Sequence, residues 1–374
     1  MKLPVFELER NQSLWENQVS CNLTESGLHP YGLADVLSEA ELETLVHLPL
    51  GYGHTDGDPV LRETIAALYP GRTKENVLIT NGSAEANFVA MWTLLEPGDE
   101  IVYMVPNYLQ IHGIADALGV TVRPWRLRQE NGWMPDLDEL RGLVNGRTRV
   151  IVICNPNNPT GIVLPPTLLA GIAAIAADHN CLVHSDEIYR GAELAGEEGP
   201  SFAGFHDRSV VVSGLSKALG FPGLRIGWLV APAALVAECW HRHDYTSIST
   251  GILSQFAACR ILAPGKREAL LQRGREHLRH NLGIVEQWVA GFDGRLSLLP
   301  PQAGGMAFVG YRAAVKSQVI VDTLRTECDV FLVAGSWCGM EGFLRIGFGV
   351  TAETLSRGLS RIEPTLRRLL AEGE

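Results

Sequence analysis

Between residues 76 and 231 short β-branched runs alternate with alanine- and leucine-rich stretches, and that alternation leaves few folds open. The runs Val77-Leu78-Ile79-Thr80, Glu100-Ile101-Val102-Tyr103-Met104-Val105, Arg149-Val150-Ile151-Val152-Ile153-Cys154, Cys181-Leu182-Val183-His184-Ser185, Ser209-Val210-Val211-Val212-Ser213 and Arg225-Ile226-Gly227-Trp228-Leu229-Val230 read as strands. Residues 84–95 read as a helix that Glu96-Pro97-Gly98 stops. Strands separated by helices predict an α/β domain built on a mostly parallel sheet. Residues 265–280 predict a long helix leading away from it, and Gly305-Met306-Ala307-Phe308-Val309, followed by helical stretches, predicts a smaller α+β lobe.

At 374 residues the chain is long enough for both units. A net charge of -11 speaks against a nucleic-acid partner, because phosphate backbones are bound by basic surfaces. No uncharged apolar run reaches the roughly 18 residues of a membrane span, and the N-terminus lacks the long apolar stretch of a signal peptide, so no membrane association is expected. Seven scattered cysteines, none in a Cys-x-x-Cys pair, suit neither a disulfide framework nor a zinc site. No metal is expected, and a reducing cytoplasm is the expected location.

In open sheets ligands collect at the carboxyl ends of strands, and the residues just past these strands share one chemistry. Lys217 lies in Ser213-Gly214-Leu215-Ser216-Lys217, eight positions before Arg225. An amine that condenses with an aldehyde and a planar fork that grips phosphate suit an enzyme holding an aldehyde cofactor at two points. Asp186, in Ser185-Asp186-Glu187-Ile188-Tyr189, can keep a pyridine nitrogen protonated, and Tyr189 can donate to a phenolic oxygen. Asn158, in Asn155-Pro156-Asn157-Asn158-Pro159-Thr160-Gly161, presents a side-chain donor from a fixed loop. Asn81-Gly82-Ser83-Ala84 places small residues where a helix N-terminus can receive an anion. Taken singly, each group also admits a structural role: Asn158 in a surface turn, Asp186 as a helix cap, Tyr189 at a core edge, Lys217 and Arg225 as solvated charges. The stretch Gly51-Tyr52-Gly53-His54-Thr55-Asp56-Gly57 puts Asp56 where a dinucleotide fingerprint needs its third glycine.

Together, Asn-Pro-x-Asn-Pro-Thr-Gly, Asp-x-x-Tyr and Ser-Lys with an arginine eight positions on resemble the class I/II aminotransferases over residues 22–348. These are aspartate aminotransferase-like, pyridoxal-phosphate-dependent enzymes of fold type I. The resemblance implies a large domain with a mostly parallel seven-stranded sheet sandwiched by helices, over residues 46–280. Residues 281–374 would form the small α+β domain, joined by an N-terminal arm over 1–45. It implies pyridoxal 5'-phosphate as cofactor, bound to Lys217 as a Schiff base, with Asp186 on the ring nitrogen, Asn158 and Tyr189 on the phenolic oxygen and Tyr108 stacked on the ring. Ser83, Ala84, Ser216 and Arg225 would hold the phosphate, with Tyr52 reaching it from the neighbouring subunit of a homodimer.

Arg345 would grip the α-carboxylate of the substrate, with Gly27 and Asn158 beside it. The reaction implied moves an amino group between an α-amino acid and a 2-oxo acid; the alternative is a lyase, cyclase or oxidase using the same cofactor, its outcome set by pocket residues such as His29, Tyr31, His54 and Trp337. Two positions depart from the commoner pattern. Gly214 stands where many relatives carry serine, and Ser26-Gly27-Leu28-His29-Pro30 replaces Gly-x-Gly-x-Pro-Asp.

Overall fold

The computed structural model describes residues 2–372. Its centre is a seven-stranded sheet of Val77–Asn81 (β1), Glu100–Val105 (β2), Thr121–Arg126 (β3), Thr148–Cys154 (β4), Leu182–Asp186 (β5), Ser209–Gly214 (β6) and Ile226–Val230 (β7), in the order β1-β7-β6-β5-β4-β2-β3. Neighbours pair in parallel except at β7, which runs antiparallel to both β1 and β6.

The continuous apolar runs follow from burial on both faces. Successive strand residues point to opposite sides, so Leu78, Ile101, Tyr103, Val150, Val152, Val210 and Val212 enter one core while Val77, Ile79, Val102, Met104, Ile151, Ile153 and Val211 enter another. The helix Ser83–Leu94 covers the first face through Ala86, Val89, Ala90 and Met91, and Pro166–Asp178 covers the second through Leu169, Ile172 and Ala176.

Six of the seven strands match apolar runs in the sequence. β3, with the sequence Thr-Val-Arg-Pro-Trp-Arg, was not anticipated: it is an edge strand paired with β2, mostly uncovered, and Pro124 is tolerated there because an edge leaves one row of N–H groups without ladder partners.

The smaller unit is a four-stranded antiparallel sheet, in the spatial order Val333–Ala334, Phe343–Gly347, Met306–Tyr311, Leu296–Leu298, packed with the helices Ser317–Cys328 and Ala352–Glu372. The helix Lys266–Ala290 leads into it and is continuous through residue 280, where the sequence reading ends the large domain. The N-terminal helix Glu7–Trp15 is followed by Cys21–Asn22, which pairs in parallel with Val330–Phe331. Leu23 N–H donates to the Phe331 carbonyl and Gly347 N–H to that of Leu23. The segment thus runs from the small sheet toward Lys217, where Leu28 N–H donates to the lysine carbonyl at 3.3 Å. No helix among the described residues is long and apolar enough to cross a membrane.

Candidate active site

Strand direction gathers the chemistry. β1, β2, β4, β5 and β6 end at the same sheet edge, and the next residues include Ser83 and Ala84, Tyr108, Asn158, Tyr189, and Ser216 with Lys217. Asp186 is the last residue of β5. Because β7 runs the opposite way, its first residues lie at that edge, and Arg225 immediately precedes them.

All ten of these residues, with Arg345 from the small sheet counted among them, line one cavity of about 310 Å³. Tight backbone contact builds its floor. A Cβ on Gly227 would stand 2.2 Å from the backbone of Gly82 and Ser83, and one on Gly82, whose φ is +81°, would stand 2.3 Å from Arg225 Nη2. Glycine at both positions lets β7 pass directly beneath the helix N-terminus and seats the Arg225 guanidinium there. Arg225 has the left-handed backbone, φ 52°, a sparsely populated conformation for a side-chain-bearing residue.

Asp186 accepts from Ile188 N–H at 3.1 Å and from Asn87 Nδ2 at 3.2 Å, and burial pushes its pKa up against those two bonds. It forms no ion pair among the described residues, so it is a half-buried acid on the cavity wall with room for a cationic partner. The Tyr189 hydroxyl lies 2.7 Å from Ser26 Oγ, and burial raises it to about 12. Tyr108 donates to Glu9 Oε1 at 2.7 Å.

Lys217 Nζ donates to Glu25 Oε2 at 3.0 Å. Burial opposes its charge, but the Glu25 carboxylate beside it holds the amine above the ordinary lysine value. The same contact holds Glu25 below the usual carboxylate range. Arg345 is 2% exposed; Nη1 donates to Asn158 Oδ1 and Nη2 to the Thr24 carbonyl, both at 2.8 Å, while Nε is buried with no partner in the structure. A guanidinium held in place at both terminal nitrogens and lining the cavity is suited to receive an anion.

Six residues singled out in the sequence need correction or qualification. His29, Tyr31, His54 and Trp337 do not line this cavity. Tyr31 packs against Phe221 beneath the Arg273 guanidinium, His54 lines a separate hollow with Ile252 and Phe256, and Trp337 lines another with Leu3, Pro4 and Val5. His29 is exposed. Gly27 is not in the lining either; a Cβ there would stand 2.9 Å from Lys217 Cα, so glycine is what lets this segment lie against the lysine backbone. Tyr52 is 86% exposed and lies outside its own chain's cavity.

Sequence reasoning missed Asn87 and the N-terminal set Leu8, Glu9, Gln12, Glu16, Glu25 and Ser26, all in the lining. A signal existed for part of it: residues 9, 12 and 16 recur at spacings that share one helix face, and Gln12 is a buried polar residue whose Nε2 donates to Thr24 Oγ1 at 2.9 Å.

Residues 27–362 match the family described as aminotransferase class I and II, and the chain belongs to that family of pyridoxal-phosphate-dependent enzymes. It is an aminotransferase, acting between an α-amino acid and a 2-oxo acid. It is 33% identical over 355 residues to capreomycidine synthase of Streptomyces vinaceus, covering 93% of this chain and 90% of that one. It is 29% identical over 344 residues to arginine–pyruvate transaminase of Pseudomonas aeruginosa, covering 89% and 87%. The crystal structure of a PLP-dependent aminotransferase from Streptococcus suis superimposes with a TM-score of 0.92 at 32% identity, covering 99% of each chain.

Proposed function

We propose that this chain holds pyridoxal 5'-phosphate in the cavity, anchored on Lys217, and that two copies pair as a homodimer in a reducing cytoplasm, with residues 46–280 as the cofactor-binding domain and 1–45 and 281–374 flanking the substrate. The observation that carries the reading is the meeting of Lys217, Asp186 and Arg225, from three separate strands, with Arg345 in a single cavity. The residues fit the cofactor. Arg225, the Ser83 and Ser216 hydroxyls and the first-turn amides of Ser83–Leu94 make an anion cradle, and Asp186 is a half-buried carboxylate lacking a cation.

When bound, the cofactor supplies an aldehyde carbon for amines and a pyridinium that takes up the electron pair released at the substrate α-carbon. Asp186 would keep the ring nitrogen protonated, because a carboxylate stabilises an adjacent positive charge. Asn158 and Tyr189 would donate to the phenolic oxygen, and Tyr108 would stack on the ring. Arg345 binds the substrate α-carboxylate, which orients the α-C–H bond, and Lys217 removes and returns that proton as general base. Tyr52 of one subunit reaches the phosphate of the other, and all seven cysteines are free thiols, in keeping with a reducing compartment.

The test is a half-reaction assay on the reconstituted protein. One 2-oxo acid should be released per active site, with the amino group retained on the protein until a second 2-oxo acid takes it. Release of ammonia, with pyruvate or peroxide, would instead identify a lyase or oxidase on the same scaffold.

A further inference from the structure

The cavity carries more negative charge than amino transfer requires. Its lining includes four carboxylates, Glu9, Glu16, Glu25 and Asp186, against three cations, Lys217, Arg225 and Arg345. On the reading proposed above, on which this inference rests, Asp186 faces the ring nitrogen, Arg225 the phosphate and Arg345 the substrate α-carboxylate. Lys217 is no longer a free side-chain ammonium once its nitrogen becomes the link to the cofactor carbonyl. Three glutamates are then left without a free side-chain cation of their own.

Their surroundings differ in a way that points to a ligand. Glu25 has Lys217 as its ion-pair partner, and cofactor attachment engages that nitrogen. Glu9 accepts a bond from the neutral Tyr108 hydroxyl. Glu16 makes no ion pair or side-chain hydrogen bond among the described residues, and burial, followed by the charges of Glu25 and Glu9, pushes its pKa up. Mutual influence of that kind requires the three carboxylates to share one region.

The independent observation is Arg345, almost fully buried with Nε unmatched. With Arg345 fixing the carboxylate and the cofactor carbonyl taking the amino nitrogen, both anchors of an α-amino acid are assigned. Its side chain is left to meet the N-terminal helix and its flank, where Leu8 and Ile188 offer apolar surface for a methylene stem and the glutamates offer the charge. Gln12, bonded to Thr24, ties that helix face to the segment carrying Glu25.

We propose that the amino donor is an α-amino acid with a cationic side chain, guanidinium or ammonium, received by Glu16 and Glu25 with Glu9 adding to the field. A dicarboxylate would set its side-chain carboxylate among like charges, so the same residues that attract a cationic substrate reject an acidic one.

The experiment titrates the cofactor-loaded, full-length protein with pairs of equal shape and different charge, L-arginine against L-citrulline and L-lysine against L-norleucine, with L-glutamate as the acidic probe, following the absorbance of the bound cofactor. In at least one pair the cationic member should half-saturate at a concentration about 10-fold lower or better, a difference of about 1.4 kcal/mol. Glu16→Gln should bring that ratio toward one, with Glu9→Gln as the second variant if the first fails to fold. Arg345→Ala should weaken every amino acid together. A preference for citrulline, norleucine or glutamate overturns the substrate class alone. Absence of any spectral change with all five probes overturns the cofactor reading beneath it.

Discussion

Asp186 and Glu187 are adjacent acids serving different ends. Asp186 lines the cavity; Glu187 is 1% exposed outside it, its Oε1 accepting from Phe202 N–H at 2.7 Å and Ser185 Oγ at 3.1 Å while Oε2 has no partner in the structure. Burial pushes Glu187 up to about 7, with the Arg190 guanidinium opposing. The folded chain therefore binds a proton that the unfolded chain has released between the ordinary value of 4.5 and about 7. Over that window the contribution of Glu187 to stability falls as pH rises, by on the order of 3 kcal/mol, and stays lost at higher pH. Glu187→Gln removes this dependence. Melting curves at pH 5 and pH 8 should show the variant gaining on the parent at pH 8; an unchanged difference between the two pH values would contradict the buried proton.

At the scale of elements, the site depends on β7 lying under the first turn of Ser83–Leu94. Gly227→Ala would set a methyl 2.2 Å from the backbone of Gly82 and Ser83, where no flexible side chain can yield. Overpacking of that kind costs roughly 3 kcal/mol, and urea unfolding together with cofactor retention measures it. Parental stability in the variant would mean that the two elements are less closely seated than described. The strands around this junction were legible in the sequence because sheet burial on both faces writes itself as unbroken apolar runs, and Lys217, Asp186, Asn158 and Arg225 were legible because each follows such a run or opens one.

β3 was not legible, since an edge strand with Pro124 and two arginines buries only Trp125 fully and shows no apolar run. Nor was the contribution of Glu7–Trp15: a short helix rich in polar residues reads as a solvated face, and tertiary docking alone turns Glu9 and Glu16 toward the cavity. The four residues offered as outcome-determining failed for a related reason. His54 and Trp337 face neighbouring hollows, Tyr31 packs on Phe221 and His29 points to solvent, because proximity along the chain does not fix the direction of a side chain.

For the whole molecule, the proposed second copy has exposed apolar residues available to cover. Val46 and Leu50 are each 77% exposed and Val60 62%, an apolar set that a lone chain would leave in water. If Tyr52 completes the partner's site, a Tyr52→Ala chain and a Lys217→Ala chain, each inactive, should regain activity on mixing and refolding. The mixed dimer would contain one site with both native residues. Absence of complementation, with mixed dimers demonstrated by mass, would place Tyr52 outside the shared site. The covalent anchor beneath all of this is open to a single measurement: borohydride reduction of the cofactor-loaded protein, followed by digestion and mass spectrometry. The peptide containing Lys217 should carry the reduced cofactor, and attachment at a different lysine, or at none, would contradict the assignment.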